Sequence, residues 1–402
     1  MGASEILSAQ AVQIAAAQLE EAEIAAALER GCHVFWPGLP DMSAEAERAL
    51  KSHALEAERL VLGPGSGIAV LPSRSWGLRH RTGRGPVGIF GTAAGGIREV
   101  MSLVWDHYET GVSCALDVGC RDLTPRVGGL MTEAAAGLLE ADPETRCLCL
   151  VAHEPVPEIR AHLHEVLKCT GKPAVVRYLG APEREAGMVD GVLYAADLDE
   201  AAQASALLAA GRPLELRKQC AKCDVCFKAV KLREGKSLPK RLAGIFSSGD
   251  LALETASFLR ARGMKVTMPV VPAVPQLLDA LPGHLVMDME LGAASALSGP
   301  ASDLEPKCAM LRAAAEDPSV GVLLFDVLLG EGAHADPAAV FLAAVREGLE
   351  RRQGGDMVVI ASITGTQDDP QGFARSKALL KAGGAAVAPT AAKGARIVSE
   401  LF

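Results

Sequence analysis

A few residues in this chain have types and spacings that can do chemistry. Gly91-Thr92-Ala93-Ala94-Gly95-Gly96 follows the apolar string Val87-Gly88-Ile89-Phe90 and runs into an apolar helix pattern through Ile97, Val100, Leu103 and Val104. Ser247-Ser248-Gly249-Asp250 follows Leu242 to Phe246 in the same way. A turn of this kind at a helix start directs backbone N–H groups and the positive end of the helix dipole at one point, which suits a phosphate or carboxylate. Without a ligand it is simply a tight strand-to-helix turn, and Asp250 makes the second turn the weaker anion site. His334 follows an apolar strand and has Glu331 and Asp336 as acidic neighbours able to orient an imidazole for proton transfer or for polarising a carbonyl. The alternative is a helix start with Asp336 as cap and Pro337 in the first turn. Arg121, after the strand Ser113 to Val118, offers a bidentate fork to a carboxylate, or else an ion pair to Asp122. Cys220, Cys223 and Cys226 form a C-x2-C-x2-C run resembling half of a zinc or iron–sulfur signature. Cys308 is solitary and no second pair follows, so a metal cluster is not expected.

The elements that must hold these residues are repeated. Asp142-Pro143 precedes the apolar strand Cys147 to Ala152, and Asp317-Pro318 precedes Val320 to Leu324. After each comes a helix, then a strand ending in glycine (Ala174 to Gly180, Met357 to Gly365), then a short strand and helix (Gly191 to Leu208, Gly384 to Leu401). Alternating helices and fully apolar strands imply parallel sheets with right-handed crossovers, so the expected fold class is α/β, with two tandem doubly wound flavodoxin-like domains. Residues 83–216 and 241–402 are the two copies, and 217–240, rich in Lys, Arg and Cys, is the expected linker. Residues 1–82 read as a truncated Rossmann-like domain: a long helix from Ala11 to Arg30, a strand at Val34 to Trp36, a helix from Ala44 to Glu58, and no first strand or glycine loop.

At 402 residues the chain is too long for one core. A net charge of −9 argues against a nucleic-acid surface, and no apolar run approaches the roughly 20 residues of a membrane helix. Ten cysteines spread over such a length fit reduced thiols in a cytoplasmic protein.

The order His33-Val34-Phe35, Leu62-Gly63-Pro64 and Gly85-Pro86-Val87-Gly88-Ile89 before a glycine turn resembles the α-subunit of succinyl-CoA synthetase. The run Asp326 to Ala338, with Thr364-Gly365-Thr366 and Asp369-Pro370-Gln371, resembles the FdrA family of the acyl-CoA synthetase superfamily. That resemblance implies a succinyl-CoA synthetase-like fold, a CoA-binding-type first domain, CoA or a nucleotide as possible ligands, and a subunit of oxamate carbamoyltransferase. Such a subunit moves a carbamoyl group between oxalurate and phosphate in purine-ring catabolism. Three departures stand against it. The first domain is short, Leu297 to Asp303 replaces a family Gly-Arg-Pro-His-Pro segment, and Glu185 to Asp190 stands where relatives place a phosphorylated histidine.

The expected function is therefore an FdrA-like carbamoyltransferase subunit acting on a small anionic substrate, in a homo- or hetero-oligomer with other subunits. Its two turns hold phosphate and carboxylate groups, Arg121 fixes substrate, and His334, Thr364 and Thr366 line the transfer site. The rivals are an NDP-forming acyl-CoA ligase-like protein and a non-catalytic scaffold subunit.

Overall fold

The computed structural model describes residues 11–13, 21–38, 42–72, 74–182, 185–216, 224–238, 241–290 and 303–402. They divide into two compact units, the first ending at Leu216 and the second holding the described residues after it.

The first unit opens with a three-stranded parallel sheet of β1 (Ala11–Gln13), β2 (His33–Phe35) and β3 (Val61–Leu62), with helices α1 (Glu21–Glu29) and α2 (Ala44–Glu56) between them. This corrects the sequence reading. The stretch expected to start a long helix begins as a strand paired in parallel with His33–Phe35, so the first strand is present. Three residues are too few to signal a strand in the sequence, and pairing with β2 decides their conformation. At α2 the sequence dictates the start: Ser43 Oγ accepts the Ala46 N–H at 3.1 Å, the ordinary work of an N-cap serine.

The remainder of the unit comprises β4 (Ile68–Val70), β5 (Ser75–Gly77), β6 (Arg84–Gly91), α3 (Ala94–Asp106), β7 (Val112–Asp117), α4 (Leu130–Ala141), β8 (Cys147–His153), α5 (Pro157–Lys168), β9 (Ala174–Leu179), β10 (Gly187–Val189), β11 (Val192–Tyr194) and α6 (Leu198–Ala209). Its strands lie in the order β10-β11-β9-β8-β6-β7-β4-β5. The stretch β7-β6-β8-β9-β11 is parallel and has the flavodoxin-like order, while β4, β5 and β10 are antiparallel margins.

The second unit contains α7 (Asp224–Arg233), β12 (Leu242–Phe246), α8 (Gly249–Ala261), β13 (Val266–Thr267), α9 (Gln276–Ala280), β14 (His284–Asp288), α10 (Glu305–Glu316), β15 (Val322–Leu328), α11 (Pro337–Arg351), β16 (Val358–Thr364), α12 (Phe373–Ala382), β17 (Ala386–Ala388) and α13 (Ala391–Leu401). Its sheet is parallel throughout, in the order β13-β14-β12-β15-β16-β17. Setting aside the short edge strand β13, the order is that of the first unit. The interval read as a linker contains α7, which packs on this unit: Ala229 is buried and Lys228 Nζ donates to the Val387 carbonyl at 2.8 Å.

Every residue of β15 is buried, as its continuous apolar pattern requires of a strand covered on both faces. Both Asp-Pro turns shape the entry to the third parallel strand. Asp142 accepts from Thr145 Oγ1 at 2.6 Å, and Asp317 accepts from the Ser319 N–H at 2.8 Å and from Arg241 at 2.9 Å.

Candidate functional site

In a doubly wound sheet the ligand crevice lies at the carboxyl ends of the strands where the strand order reverses. In the second unit that point lies between β12 and β15, and an ionic network occupies it. Ser247 follows β12 and donates its N–H to Asp326 Oδ1 at 2.7 Å. Lys307, the third residue of α10, donates from Nζ to Ser247 Oγ at 2.8 Å, to the Asp326 carbonyl at 2.7 Å and to Asp326 Oδ1, and Nζ lies 4.6 Å from the Phe341 ring centroid. Both side chains are out of solvent, at 1% exposure for Lys307 and 0% for Asp326. Burial holds the Lys307 ammonium below the usual lysine range, with the Asp326 charge opposing that shift. Burying each ion costs several kcal/mol, which this set of partners offsets. Asp326 Oδ2 and Ser362 Oγ, side chains of residues paired across β15 and β16, are buried without a hydrogen-bond partner among the described residues.

Ser247, Ser248 and Gly249 thus form the loop that the sequence predicts at the start of α8. Ser248 is the N-cap residue, yet its hydroxyl makes no capping bond and is buried without a described partner. The Gly249 N–H donates to Glu290 Oε2 at 2.9 Å, and a Cβ at Gly249 would lie 2.5 Å from Asp288 Oδ2. The helix N-terminus therefore receives a carboxylate from its own chain. Asp250, the acidic neighbour noted in the sequence, is buried in the first turn of α8.

His334 sits in the loop after β15. Its Nδ1 accepts the Asp336 N–H at 3.1 Å, which leaves the proton of a neutral ring on Nε2 and makes that atom a donor. The Asp336 carboxylate does not orient the imidazole: it caps α11 by accepting the Ala339 N–H at 3.3 Å and pairs with Arg375 at 2.5 Å. Gln371 joins this loop to the one after β16. Its amide donates to the His334 carbonyl at 3.1 Å and to the Gly330 carbonyl at 2.9 Å, and accepts the Gly330 N–H at 3.0 Å. Thr364 ends β16 and Thr366 follows it, both buried, and the Thr366 N–H is held by Asp369 Oδ2 at 2.8 Å.

In the first unit, close packing accounts for two glycines of the other turn. Gly91 has φ +144° and a Cβ there would overlap the Val151 carbonyl oxygen, while a Cβ on Gly96 would lie 2.7 Å from Val151 Cγ1. Thr92 Oγ1 accepts the His153 N–H at 3.4 Å, and Ala93 is the N-cap of α3, which begins at Ala94 with Gly95. Arg121 does not pair with Asp122. Its Nε lies 2.7 Å from Glu47 Oε2, and Nη1 donates to the Met42 carbonyl at 2.8 Å. Asp122 instead takes the Lys51 ammonium at 2.9 Å, the Thr132 N–H at 2.9 Å and the Thr132 hydroxyl at 2.7 Å. Lys51 also lies 2.8 Å from Glu47, and Lys51, Glu47 and Asp122 are all fully buried.

Glu47, Lys51, Lys307, Asp326, Glu290 and Ser362 were missed by sequence reasoning. Glu47 and Lys51 are four apart on a helix, a spacing that ordinarily means a solvated surface pair. Asp326 did carry a signal, as the charged residue inside the apolar strand Val322–Leu328. Cys220 and Cys223 lie outside the described residues, and Cys226 falls in the first turn of α7. Among the described residues, no group of three or more His, Cys, Asp or Glu could hold a metal ion, and no helix is long and apolar enough to cross a membrane.

The uncharacterized protein YahF of Escherichia coli (strain K12) is 28% identical over 354 residues, covering 85% of this chain and 67% of YahF. Among solved structures, the apo dinucleotide-forming acetyl-coenzyme A synthetase 1 of Ca. Korarchaeum cryptofilum is 16% identical with TM-score 0.34, over 99% of this chain and 80% of that one. The ATP citrate lyase of Methanothrix soehngenii, in complex with citrate and coenzyme A, is 15% identical with TM-score 0.40, over 54% and 42%. Residues 245–401, which include the Ser247–Gly249 loop, Lys307, Asp326 and His334, match the CoA-ligase family, so the second unit is similar to CoA-ligase domains.

Proposed function

We propose that this chain is an acyl-CoA ligase-like protein whose second unit handles an activated acyl group, with the phosphate or carboxylate end of the substrate at the N-terminus of α8. One observation carries this reading: the stretch similar to CoA-ligases is the stretch in which Lys307 and Asp326 fix the Ser247–Gly249 loop at the strand-order reversal. Ser247, Ser248 and Gly249 hold the anion through the helix N-terminus. His334, with its proton on Nε2, polarises the acyl oxygen as a donor, and Thr364 and Thr366 fix the loop facing it. In the first unit Gly91, Thr92, Ala93, Ala94, Gly95 and Gly96 form a second, tighter turn, and Arg121 is assigned to holding Glu47.

The finer version of this proposal is that the acyl group is carbamoyl, so that the chain acts as an FdrA-like carbamoyltransferase subunit. Carbamoyl phosphate is itself an acyl phosphate. Asp326 Oδ2 favours this version, because a buried acceptor without a described partner suits an amide N–H, whereas the methyl of an acetyl group would leave it unsatisfied. The test is calorimetric titration of the full chain with CoA, carbamoyl phosphate, acetyl phosphate and oxamate, alongside Ser248→Ala and Asp326→Asn. Saturable acyl-phosphate binding lost in Ser248→Ala supports the site, and preference for carbamoyl over acetyl phosphate that disappears in Asp326→Asn supports the finer version. Nucleotide-dependent thioester formation with CoA would favour the ligase version instead. No binding in any arm would overturn both and leave a scaffold role.

A further inference from the structure

The Glu290 side chain is exposed, and its carboxylate rests on the first amide of a 13-residue helix, with Oε2 2.9 Å from Gly249 N. Its backbone is held for that reach: the Glu290 N–H donates to Asp288 Oδ1 at 2.7 Å, turning the chain back toward α8. A second observation falls on the same helix end. Ser248 is 1% exposed, and where an N-cap hydroxyl ordinarily accepts an amide of the first turn, this one makes no cap bond and has no described partner. A buried hydroxyl left unsatisfied beside a turn of N–H groups is a place for a guest oxygen. The first unit has no such arrangement at the matching position, where the N-cap is Ala93.

We propose that the Glu290 carboxylate is a resident, displaceable occupant of the α8 anion site, and that a phosphate or carboxylate group from substrate binds by displacing it onto solvent. This rests on the reading of that helix end as the substrate's anion site. Exchange is feasible because the contact is exposed. A carboxylate on a solvent-facing helix N-terminus is held weakly enough that it lowers the affinity of a competing anion by only about two- to fivefold. Ser248 Oγ then donates to the guest, and the Asp288 turn keeps Glu290 close enough to return when the site empties. Glu290 thereby keeps the helix N-terminus satisfied between guests and sets the anion concentration at which the site fills.

The probe is inorganic phosphate, titrated into the full-length chain and followed by ³¹P line broadening, for the wild type, Glu290→Gln, Ser248→Ala and the double variant. Glu290→Gln is expected to tighten phosphate binding about two- to fivefold, and Ser248→Ala to weaken it in both backgrounds. Phosphate binding that Ser248→Ala weakens but Glu290→Gln leaves unchanged would overturn the displacement and leave the anion site standing. Absence of binding in the wild type and in Glu290→Gln alike would overturn both.

Discussion

The two doubly wound sheets place different chemistry at matching positions. The third residue of the helix before the central strand is Thr132 in the first unit and Lys307 in the second; the fifth residue of that strand is Val151 in one and Asp326 in the other. Strand ends correspond as well, since Gly91 pairs with Asp117 and Phe246 with Asp288. In the first unit the strand-order reversal is closed by packing, with Gly91 against the Val151 backbone and the Gly67 N–H on Asp117 Oδ2 at 2.6 Å. A buried ionic network lies instead at the junction with the three-stranded sheet, where Lys51 lies between Glu47 and Asp122 and Thr132 supports Asp122. In the second unit the buried pair stands at the reversal itself. One fold can thus place a buried ion pair at the reversal or an apolar residue and a threonine at the matching positions.

The largest effect is expected from Lys51→Met. It leaves two fully buried carboxylates, Glu47 and Asp122, without their ammonium, and loss of one partner from such a network costs about 3–5 kcal/mol. Urea unfolding of the variant against the wild type measures it, and a loss below about 1 kcal/mol would show that the junction does not depend on this charge.

Lys307→Met strands a single carboxylate and is expected to cost about 3 kcal/mol. The sharper test gives the second unit the first unit's residues. Lys307→Thr with Asp326→Val removes both charges together, and replacing a whole buried pair is often near neutral. Most of the single-variant loss should therefore be recovered. If the double variant is no more stable than Lys307→Met, the pair is not an independent ionic unit and the correspondence between the two reversals is only positional.

Gly91→Ala probes the closed reversal. At φ +144° with the Val151 carbonyl in the way, it should lose at least about 1–3 kcal/mol in the same unfolding assay. Retention of full stability would mean that β6 and β8 can part, and that the first unit's turn is open to a ligand after all.

Much of this fold was legible because repetition is legible: the paired Asp-Pro turns, the apolar strands and the turns after β6 and β12 appear in the sequence at matching intervals, and the doubly wound order follows from them. What escaped depended on partners distant in the chain. Ala11–Gln13 becomes a strand only because β2 lies beside it, and α7 is held in the supposed linker by contacts to the last strand and helix. The site was half legible. Ser247 to Gly249, His334 and Arg121 could be named from local pattern, but their partners could not. Lys307 is 60 residues from Ser247, and Asp122 is 71 from Lys51, separations over which no local spacing carries information. Asp336 shows the converse, since an acid two residues from a histidine suggested an orienting role and turned out to be a helix cap held by Arg375.

The smallest effect concerns the far end of the second sheet, away from the reversal. His284 starts β14, its Nδ1 accepts the Leu242 N–H at 3.2 Å, and its ring meets Phe402 edge-on at 4.8 Å. Burial pushes its pKa below the usual histidine value. The folded state therefore resists a proton that the unfolded chain accepts, so stability is full above about pH 6.5 and falls as pH drops through the folded pKa. His284→Gln keeps a hydrogen-bond acceptor without the titration and should flatten that part of the stability profile between pH 7 and pH 5, measured as urea midpoints at fixed ionic strength. An unchanged slope would show that His284 does not set the acid response of the fold.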